Sequence, residues 1–278
     1  MKFTTLEVAV QQGVGVIWMN RPEVRNAFNE IMIAELTHAF GALDADKGVR
    51  AVALAGHGPA FCAGADLNWM KKMSGYGFEE NHNDAMLLAT MLNTIYMMKK
   101  PTVARVHGPA FAGGMGLVAA CDIAVAAYEA EFCLTEVKLG LTAATISPYV
   151  VAAMGEHHAR RYFLTAERFT AAEAYRIGLV HDIAPIAELD PRIDEILTHL
   201  LAASPAAIAA SKDLIRSVAR GPIGPDMIVD TATRIAAARS SADGKEGIRS
   251  FLEKSKPSWA NPAAAAPEKT RKSAKKPK

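Results

Sequence analysis

Short apolar runs alternate with helical patterns through the first half of the chain. The segments LEVAVQ and VGVIWMN, at residues 6–11 and 14–20, alternate or run apolar and predict β-strands. Three further runs, VRAVALAG, PTVARVHG and CDIAVAA, are almost entirely apolar, as in strands that are buried on both faces. Strand, loop and helix recurring over roughly 130 residues predict an α/β fold with crossover connections.

The first helix of this alternating region has a clear start. Asn29 is a favourable N-cap residue, and Ile33, Leu36, Phe40 and Leu43 follow at the three- and four-residue spacing of one helix face. The pattern predicts a helix over residues 30–43.

The second half of the chain changes to almost continuous helical patterns. A helix is predicted over residues 148–164, because the proline that opens it suits a first helical turn. Thr170 and Glu173 predict a capping box, with Gly178 as the stop of that helix. Residues 189–254 are helical in pattern, with breaks at proline and glycine. This region is expected to pack on the α/β core or on another subunit.

Charge is uneven along the 278 residues, whose formal net charge is only +2. The segment from Ala260 to Lys278 holds six basic residues and one acid; its +5 leaves −3 for residues 1–259. The body therefore has no basic footprint for nucleic acid. The tail lacks large apolar residues and is predicted to be disordered.

Several functional classes are excluded by what the sequence lacks. Cys62, Cys121 and Cys133 show neither a disulfide framework nor metal-ligand spacing, so they are interpreted as buried structural residues and no metal site is expected. No signal-peptide pattern opens the chain and no apolar run is long enough to cross a membrane, which predicts a cytoplasmic protein.

Two glycine-rich segments could carry chemistry: GPAFCAGADLNWM at residues 58–70 and GPAFAGGMGLVAACD at residues 108–122. Each follows an apolar strand and precedes a helical pattern. Unpaired backbone N–H groups at such turns can form an oxyanion hole, which stabilises charge that develops on a carbonyl oxygen. Tight packing of a helix on a strand explains the glycines about as well. Dinucleotide, phosphate-loop and nucleophile-elbow motifs are absent.

One carboxylate stands in apolar company. Glu136 lies in EFCLTEVKLGL, among Phe132, Leu134 and Val137. Such surroundings raise a carboxyl pKa towards neutrality and suit the group to proton transfer. From the residues alone, an exposed or salt-bridged glutamate beside Lys138 is the preferred interpretation.

In combination these segments resemble the crotonase family, the enoyl-CoA hydratases and isomerases. The resemblance covers residues 3–259 in order and is carried by NRPEVRNAFN, FCAGADL, GGMGLVAACD, TEVKLGL and two later helical segments, RFTAAEAYRIGLV and GIRSFLEKSKPSW. It implies a spiral of ββα turns with a helical C-terminal trimerisation region. The implied organisation is a spiral core with the CoA-thioester site over residues 1–195, a helical region over 196–259 and the basic tail over 260–278.

The resemblance also implies roles for individual residues. The substrate would be an acyl-CoA thioester, whose carbonyl oxygen accepts from the N–H groups of Ala65 and Gly113, while Glu136 moves the proton. No separate cofactor is implied, because CoA is part of the substrate, and the assembly would be a homotrimer or a dimer of trimers. Residues that match CoA-binding positions of the family are Arg25, Ala27, Ala63, Asp66, Leu67 and Lys254.

The chain departs from the best-known hydratases at one position. Those enzymes use two glutamates around one water, and Gly116 stands where the first of them is expected. Glutamate at this position is expected to change rate or specificity without disrupting the fold. The departure leaves two reactions open. One is hydration of a 2-enoyl-CoA, and the other is isomerisation of a 3-enoyl-CoA with Glu136 as sole acid and base.

Three segments, GGMGLVAACD, FCLTEVKLGLTAATISPYVV and ARRYFLTAERF, together resemble those of bacterial methylglutaconyl-CoA and carboxygeranoyl-CoA hydratases. This resemblance favours hydration of a branched or carboxylated substrate. Lys71, Lys72 and His82 are then candidates to meet the free carboxylate. His107 and Asp122 are interpreted as structural. An alternative of another class is a non-catalytic crotonase-fold protein that binds RNA through the basic tail.

Overall fold

A computed structural model of the protein describes residues 3–219 and 221–260. In these residues the strands are β1 (Leu6–Gln11), β2 (Val14–Met19), β3 (Ala51–Gly56), β4 (Thr102–Val106), β5 (Ala110–Phe111), β6 (Ile123–Ala127), β7 (Glu131–Cys133), β8 (Phe169–Thr170) and β9 (Asp182–Ala184). The helices are α1 (Glu30–Ala45), α2 (Leu67–Met73), α3 (Phe78–Met97), α4 (Gly113–Ala120), α5 (Ser147–Thr165), α6 (Ala171–Arg176), α7 (Leu189–Ala202), α8 (Pro205–Val218), α9 (Pro225–Ser240) and α10 (Ala242–Leu252). The α/β prediction is confirmed.

The larger sheet has the strand order β1-β2-β3-β4-β6-β9. Strands β1 and β2 form an antiparallel hairpin, and every later pair is parallel. Parallel strands are joined by crossovers, so both faces of this part of the sheet are covered. Strand β3 is buried at all six positions, as its continuous apolar run predicts.

Two hydrophobic clusters cover opposite faces of this sheet. In β3, Val52 and Leu54 belong to the cluster that includes α1, α3, α4 and α5, whereas Ala51 packs with Leu189 and Ile193 of α7. Neighbouring residues of a strand point to opposite faces, which explains the division. The domain boundary expected between residues 195 and 196 falls inside α7. The division into domains stays a prediction.

A smaller sheet joins segments that follow one another along the chain. Strand β7 pairs in parallel with β5 and antiparallel with β8. Isolated bridges then link Phe28 to Ala65, and Cys62 to Ala110. Through these bridges three segments lie side by side: the loop after β2, the glycine-rich segment at residues 58–70 and the glycine-rich segment at residues 108–122. The last two are called the first and the second glycine loop below.

Two cationic side chains, one buried and one half-buried, attach the C-terminal helices to the core. The Lys212 ammonium of α8 donates to the Asp122 carboxylate at 2.6 Å and to the Lys100 carbonyl at 2.9 Å. The Arg50 guanidinium, just before β3, donates to the carbonyls of Ala203 and Trp259, each at 2.6 Å. Desolvated charges require such partners, so these contacts fix the position of the helical region.

The helix starts agree with the sequence in part. Asn29 caps α1 by accepting from the Met32 N–H at 3.1 Å. Thr170 caps α6, but the predicted capping box is wrong in its second half. The Glu173 carboxylate accepts from the Tyr162 hydroxyl and from Arg176 and does not return to the Thr170 N–H.

Two further observations concern ligands and membranes. Among the described residues, no group of three or more His, Cys, Asp or Glu side chains could hold a metal ion. No single described helix is long and apolar enough to cross a membrane; only the bent pair made of residues 186–202 and 205–218 reaches that length and apolar content. The tail prediction concerns residues that, apart from Ala260, lie outside the described part of the chain.

Candidate active site

The first glycine loop is held by backbone hydrogen bonds to the loop after β2. The Phe28 N–H donates to the Gly64 carbonyl at 2.8 Å, and the Asp66 N–H donates to the Phe28 carbonyl at 3.0 Å. This is the pattern of a parallel bridge centred on Ala65, whose own N–H points to the other side. Within the described residues the Ala65 N–H has no acceptor. It is therefore available to a ligand.

The second glycine loop presents another N–H in the same way. Gly113 is the first residue of α4, and a first-turn N–H has no partner inside its own helix. No acceptor for it appears elsewhere in the described part of the chain. The preceding Ala112 has φ 48° and ψ −121°, a conformation that glycine adopts more readily. Its N–H donates to the Cys133 carbonyl at 2.8 Å, which holds the turn in place.

The two loops lie against each other. A Cβ on Gly64 would lie 3.0 Å from the Ala112 Cβ, 3.1 Å from the Phe111 carbonyl oxygen and 3.8 Å from the Gly113 nitrogen. A Cβ on Gly113 would overlap the ring of Phe28. Both glycines are therefore required by close packing, and that packing brings the loops that carry the N–H groups of Ala65 and Gly113 together. Close packing, one of the two explanations that the sequence left open for these glycines, is confirmed, and the oxyanion role stays a prediction.

Glu136 begins the 3-10 turn Glu136–Leu139, which follows β7. Its side chain is half-buried, and its Oε2 atom is buried without a hydrogen-bond partner among the described residues. Burial raises the pKa of the Glu136 carboxyl above its ordinary value, although the backbone N–H groups of Glu136 and Thr135 oppose the change. No salt bridge to Lys138 forms; the Lys138 ammonium donates to the Ala166 carbonyl instead. The carboxylate has the environment of a proton-transfer group.

Gly116 lies one helical turn after Gly113 on α4, and the volume beside it is filled. A Cβ at this position would overlap the Ile146 Cγ2 and lie 2.9 Å from the Ile146 Cβ. Ile146 is itself buried, with 2% of its surface exposed. Glutamate at position 116 therefore requires Ile146 or the backbone to shift, and the expectation that the fold survives this substitution stays a prediction.

The residues that match CoA-binding positions fall into two places. Arg25, Ala27, Ala63 and Leu67 lie along the first loop and the loop bonded to it; Leu67 is 81% exposed at the start of α2. Lys254 lies after α10, and its side chain makes no hydrogen bond or ion pair with described residues. The structure of one chain therefore does not bring Lys254 into contact with the others through polar interactions.

Both carboxylate oxygens of Asp66 already accept hydrogen bonds within the fold. Its Oδ1 accepts from the N–H groups of Asn68 and Trp69, which caps α2, and its Oδ2 accepts from Arg21 at 2.8 Å. Burial alone would raise the pKa of Asp66, but these hydrogen bonds outweigh it and hold the pKa below its ordinary value. A contact between the Asp66 side chain and CoA would compete with these bonds. The N-cap role is readable from the sequence, whereas the pairing with Arg21 spans 45 residues and is not.

The candidate cations for a substrate carboxylate differ in their availability. The Lys72 ammonium pairs with Glu30 at 2.9 Å. His82 stacks on Phe78 at 6.1 Å between ring centroids. Lys71 is exposed, and its side chain has no polar partner among the described residues. The structure gives no contact that links any of them to Glu136.

The residues interpreted as structural have structural contacts. His107 Nε2 lies 2.9 Å from the Gly58 carbonyl, and burial lowers the pKa of its imidazole. Asp122 accepts from Thr102 as well as from Lys212. All three cysteines are buried, and burial raises the pKa of the Cys62 and Cys121 thiols to about 12. These thiols are inert at neutral pH.

Comparison with known proteins agrees with this architecture. Residues 9–262 match the family model described as enoyl-CoA hydratase/isomerase. A crystal structure of an enoyl-CoA hydratase from Shewanella pealeana is 40% identical, with a TM-score of 0.91 over 93% of this chain and 97% of that one. Pseudomonas aeruginosa AtuE is 37% identical, with a TM-score of 0.89 over 93% and 100% of the two chains. The crotonyl-CoA hydratase of Syntrophomonas wolfei is 31% identical over 92% of this chain and 98% of its own length. The resemblance found in the sequence is confirmed, the fold is of the crotonase type, and the chain belongs to the enoyl-CoA hydratase/isomerase family of enzymes.

Proposed function

We propose that the protein adds water across the C2=C3 double bond of a 2-enoyl-CoA, and that Glu136 is its acid and base. The single observation that carries the proposal is the buried Glu136 Oε2, which has no partner among the described residues. A buried acceptor without a partner costs free energy, and a substrate or water that donates to it removes that cost. The relatives named as enoyl-CoA hydratases support the same reaction.

The proposed reaction is a proton transfer coupled to stabilisation of a developing charge. Water attacks C3 and gives one proton to the Glu136 carboxylate, while the thioester oxygen becomes enolate-like. The N–H groups of Ala65 and Gly113 donate to that oxygen more strongly as its charge grows, which stabilises the transition state over the ground state. Glu136 then returns the proton to C2. The product gains one H and one OH, and no cofactor besides the CoA of the substrate takes part.

For the acyl group, we propose a branched or carboxylated chain such as 3-methylglutaconyl. Position 116 supplies no second carboxylate, and the apolar Ile146 fills that volume. A polar group of the substrate itself would then help to hold the water. Lys71 and His82 are the proposed partners of the remote carboxylate, because Lys72 is already paired.

We also propose the CoA contacts and the assembly. The CoA moiety would lie along the first loop, at Arg25, Ala27, Ala63, Asp66 and Leu67, with Lys254 reaching its phosphates. A homotrimer, alone or as a dimer of trimers in the cytoplasm, would cover apolar side chains that the C-terminal helices of one chain leave exposed. These include Ile223, Ile228, Val229, Phe251 and Leu252, which are between 61% and 90% exposed.

Isomerisation of a 3-enoyl-CoA is the second candidate function. The observation in its favour is the same filled position at Gly116, because a single carboxylate can take a proton from C2 and return it at C4 without any water. Both reactions use the same oxyanion contacts. They differ in whether the conjugated double bond is consumed or formed.

The experiment offers the purified protein 3-methylglutaconyl-CoA, crotonyl-CoA and a 3-enoyl-CoA in separate assays. Ultraviolet absorbance of the conjugated enoyl thioester falls on hydration and rises on isomerisation. Glu136→Gln is the control, which should abolish either change while retaining binding of the CoA ester. Hydration is overturned if only the 3-enoyl-CoA reacts, and the role of Glu136 as acid and base is overturned if Glu136→Gln reacts at the parent rate.

A further inference from the structure

The volume beside Gly116 is occupied by a side chain that lies thirty residues later in the sequence. A Cβ on Gly116 would overlap the Ile146 Cγ2 and lie 2.9 Å from the Ile146 Cβ and 3.5 Å from the Leu92 Cδ2. A rotation about χ1 moves Cγ2 but leaves the Ile146 Cβ where it is. Position 116 therefore excludes every side chain, including alanine, unless the backbone shifts.

This contact joins the two elements that carry the candidate site. Gly113 and Gly116 are three residues apart in α4 and share one helix face. Ile146 lies at the end of the segment that begins at Glu136. Within this segment the Leu141 N–H donates to the Glu136 carbonyl at 3.0 Å. Ile146 thus packs against the helix that carries the Gly113 N–H, and it belongs to the segment that follows the Glu136 carboxylate in the chain.

The wall formed here is apolar. Ile146 and Leu92 are 2% and 0% exposed, and neither side chain can hydrogen-bond a water. Position 116 and the two side chains beside it therefore offer no polar group that could hold a water.

We propose that Ile146 is a specificity-determining residue, which takes the place of a second carboxylate and restricts hydration to substrates that hold the water themselves. The proposal rests on the hydratase function proposed above. Its consequence is a preference for 2-enoyl-CoA esters with a polar group on the acyl chain over unsubstituted crotonyl-CoA.

The packing half of the proposal is tested by thermal unfolding, which needs no substrate. Gly116→Ala in the parent should lower the Tm by about 2–10 °C, as expected when a packed core receives an extra methyl group. The same substitution should cost little in an Ile146→Gly background, whereas Ile146→Val, which keeps Cβ and Cγ2, should give no relief. Ile146→Ala removes only the Cγ2 overlap and should give intermediate relief; it serves where Ile146→Gly is too unstable to purify. An equal loss of Tm in all backgrounds overturns the packing argument.

The specificity half is tested by the ratio of kcat/KM for 3-methylglutaconyl-CoA to that for crotonyl-CoA. The double variant Gly116→Glu with Ile146→Gly gains room for a second carboxylate, and the ratio should move towards crotonyl-CoA by about tenfold or more, since a general acid or base is typically worth 100-fold or more. Ile146→Val should keep the parent ratio. A parent that hydrates both esters, with a ratio that no variant changes, overturns the role of Ile146. A parent that hydrates neither ester overturns the proposed function instead.

Discussion

Gly113→Ala tests whether the second glycine loop is as tightly built as its contacts indicate. The added Cβ would overlap the Phe28 Cζ and lie 2.9 Å and 3.3 Å from the two Cε atoms. The Phe28 ring cannot turn away into solvent. It is 1% exposed, its edge meets Trp69 at 6.4 Å between centroids, and its backbone is bonded to the first loop on both sides.

The expected loss follows from this rigidity. Overpacking of a core by one methyl group typically costs about 1–3 kcal/mol, which lowers the Tm of a protein of this size by about 2–10 °C. The strain falls on the residue whose N–H is proposed to bind the thioester oxygen. Alanine keeps this N–H, but the strain displaces it from the oxygen that it would bind. Loss of one oxyanion donor typically lowers kcat by about 100- to 1,000-fold, so we expect a fall of up to that size with little change in binding of the CoA ester.

Thermal unfolding and steady-state kinetics on the same preparations measure both effects. Gly41→Ala is the matched control, because a Cβ at that position in α1 meets nothing within 4 Å. It should raise stability by about 1 kcal/mol, the helix preference of alanine over glycine, and leave kcat unchanged. Adding Phe28→Leu to Gly113→Ala should recover part of the Tm. A Gly113→Ala protein with the parent Tm and the parent kcat would refute the reasoning.

Three further substitutions probe the site and its support. Because burial raises the pKa of Glu136, the parent kcat/KM should fall as the pH drops through a value above the ordinary glutamate range. The folded state also binds this proton more tightly than the unfolded chain does. Glu136→Gln should therefore raise the Tm at neutral pH and lose that advantage below about pH 4, as pH-dependent melts would show. Ala112→Gly should raise the free energy of unfolding by about 1 kcal/mol in denaturant titrations, because glycine adopts the positive φ of this position without strain. Activity at the parent level would confirm that the strain is not needed for turnover. The pKa of Asp66 is lowered in the fold, so its stabilisation is present above the unfolded value and lost as the pH falls through the folded one. Asp66→Asn should therefore destabilise the protein by about 1–3 kcal/mol at pH 7, with a smaller difference in acid, since Arg21 loses its charged partner; a difference independent of pH would contradict this.

Local features of the fold could be predicted from the sequence, because they depend on neighbouring residues. The helix that Asn29 caps and the buried strand β3 were evident from spacing and apolar content. The capping box at Thr170 failed because Glu173 found stronger partners, the Tyr162 hydroxyl and the Arg176 guanidinium. The capping preference of these residues was outweighed there by side-chain interactions that form only when the helices are packed.

The candidate site divides in the same way. Its glycines and Glu136 could be singled out from residue types and spacing, and the family resemblance assigned their roles. The occlusion of position 116 could not be predicted, because Ile146 lies thirty residues away and reaches Gly116 only when the segment after β7 packs on α4. The strain at Ala112 was equally hidden, since it follows from the turn that pairs its N–H with Cys133.

The Arg50 guanidinium and its two carbonyl acceptors form a clamp, which has a consequence for the order in which the chain folds. One acceptor of its guanidinium, the Trp259 carbonyl, is 209 residues away in sequence, and the other, at Ala203, is 153 residues away. On the ribosome, Arg50 and the strand beside it emerge long before either acceptor has been synthesised. A nascent chain can therefore assemble its first strands and helices, but the guanidinium stays solvated until the last helices arrive. Closure of this clamp therefore comes late, after Trp259 has been synthesised, and a nascent chain arrested between Ala203 and Trp259 would have one of the two contacts.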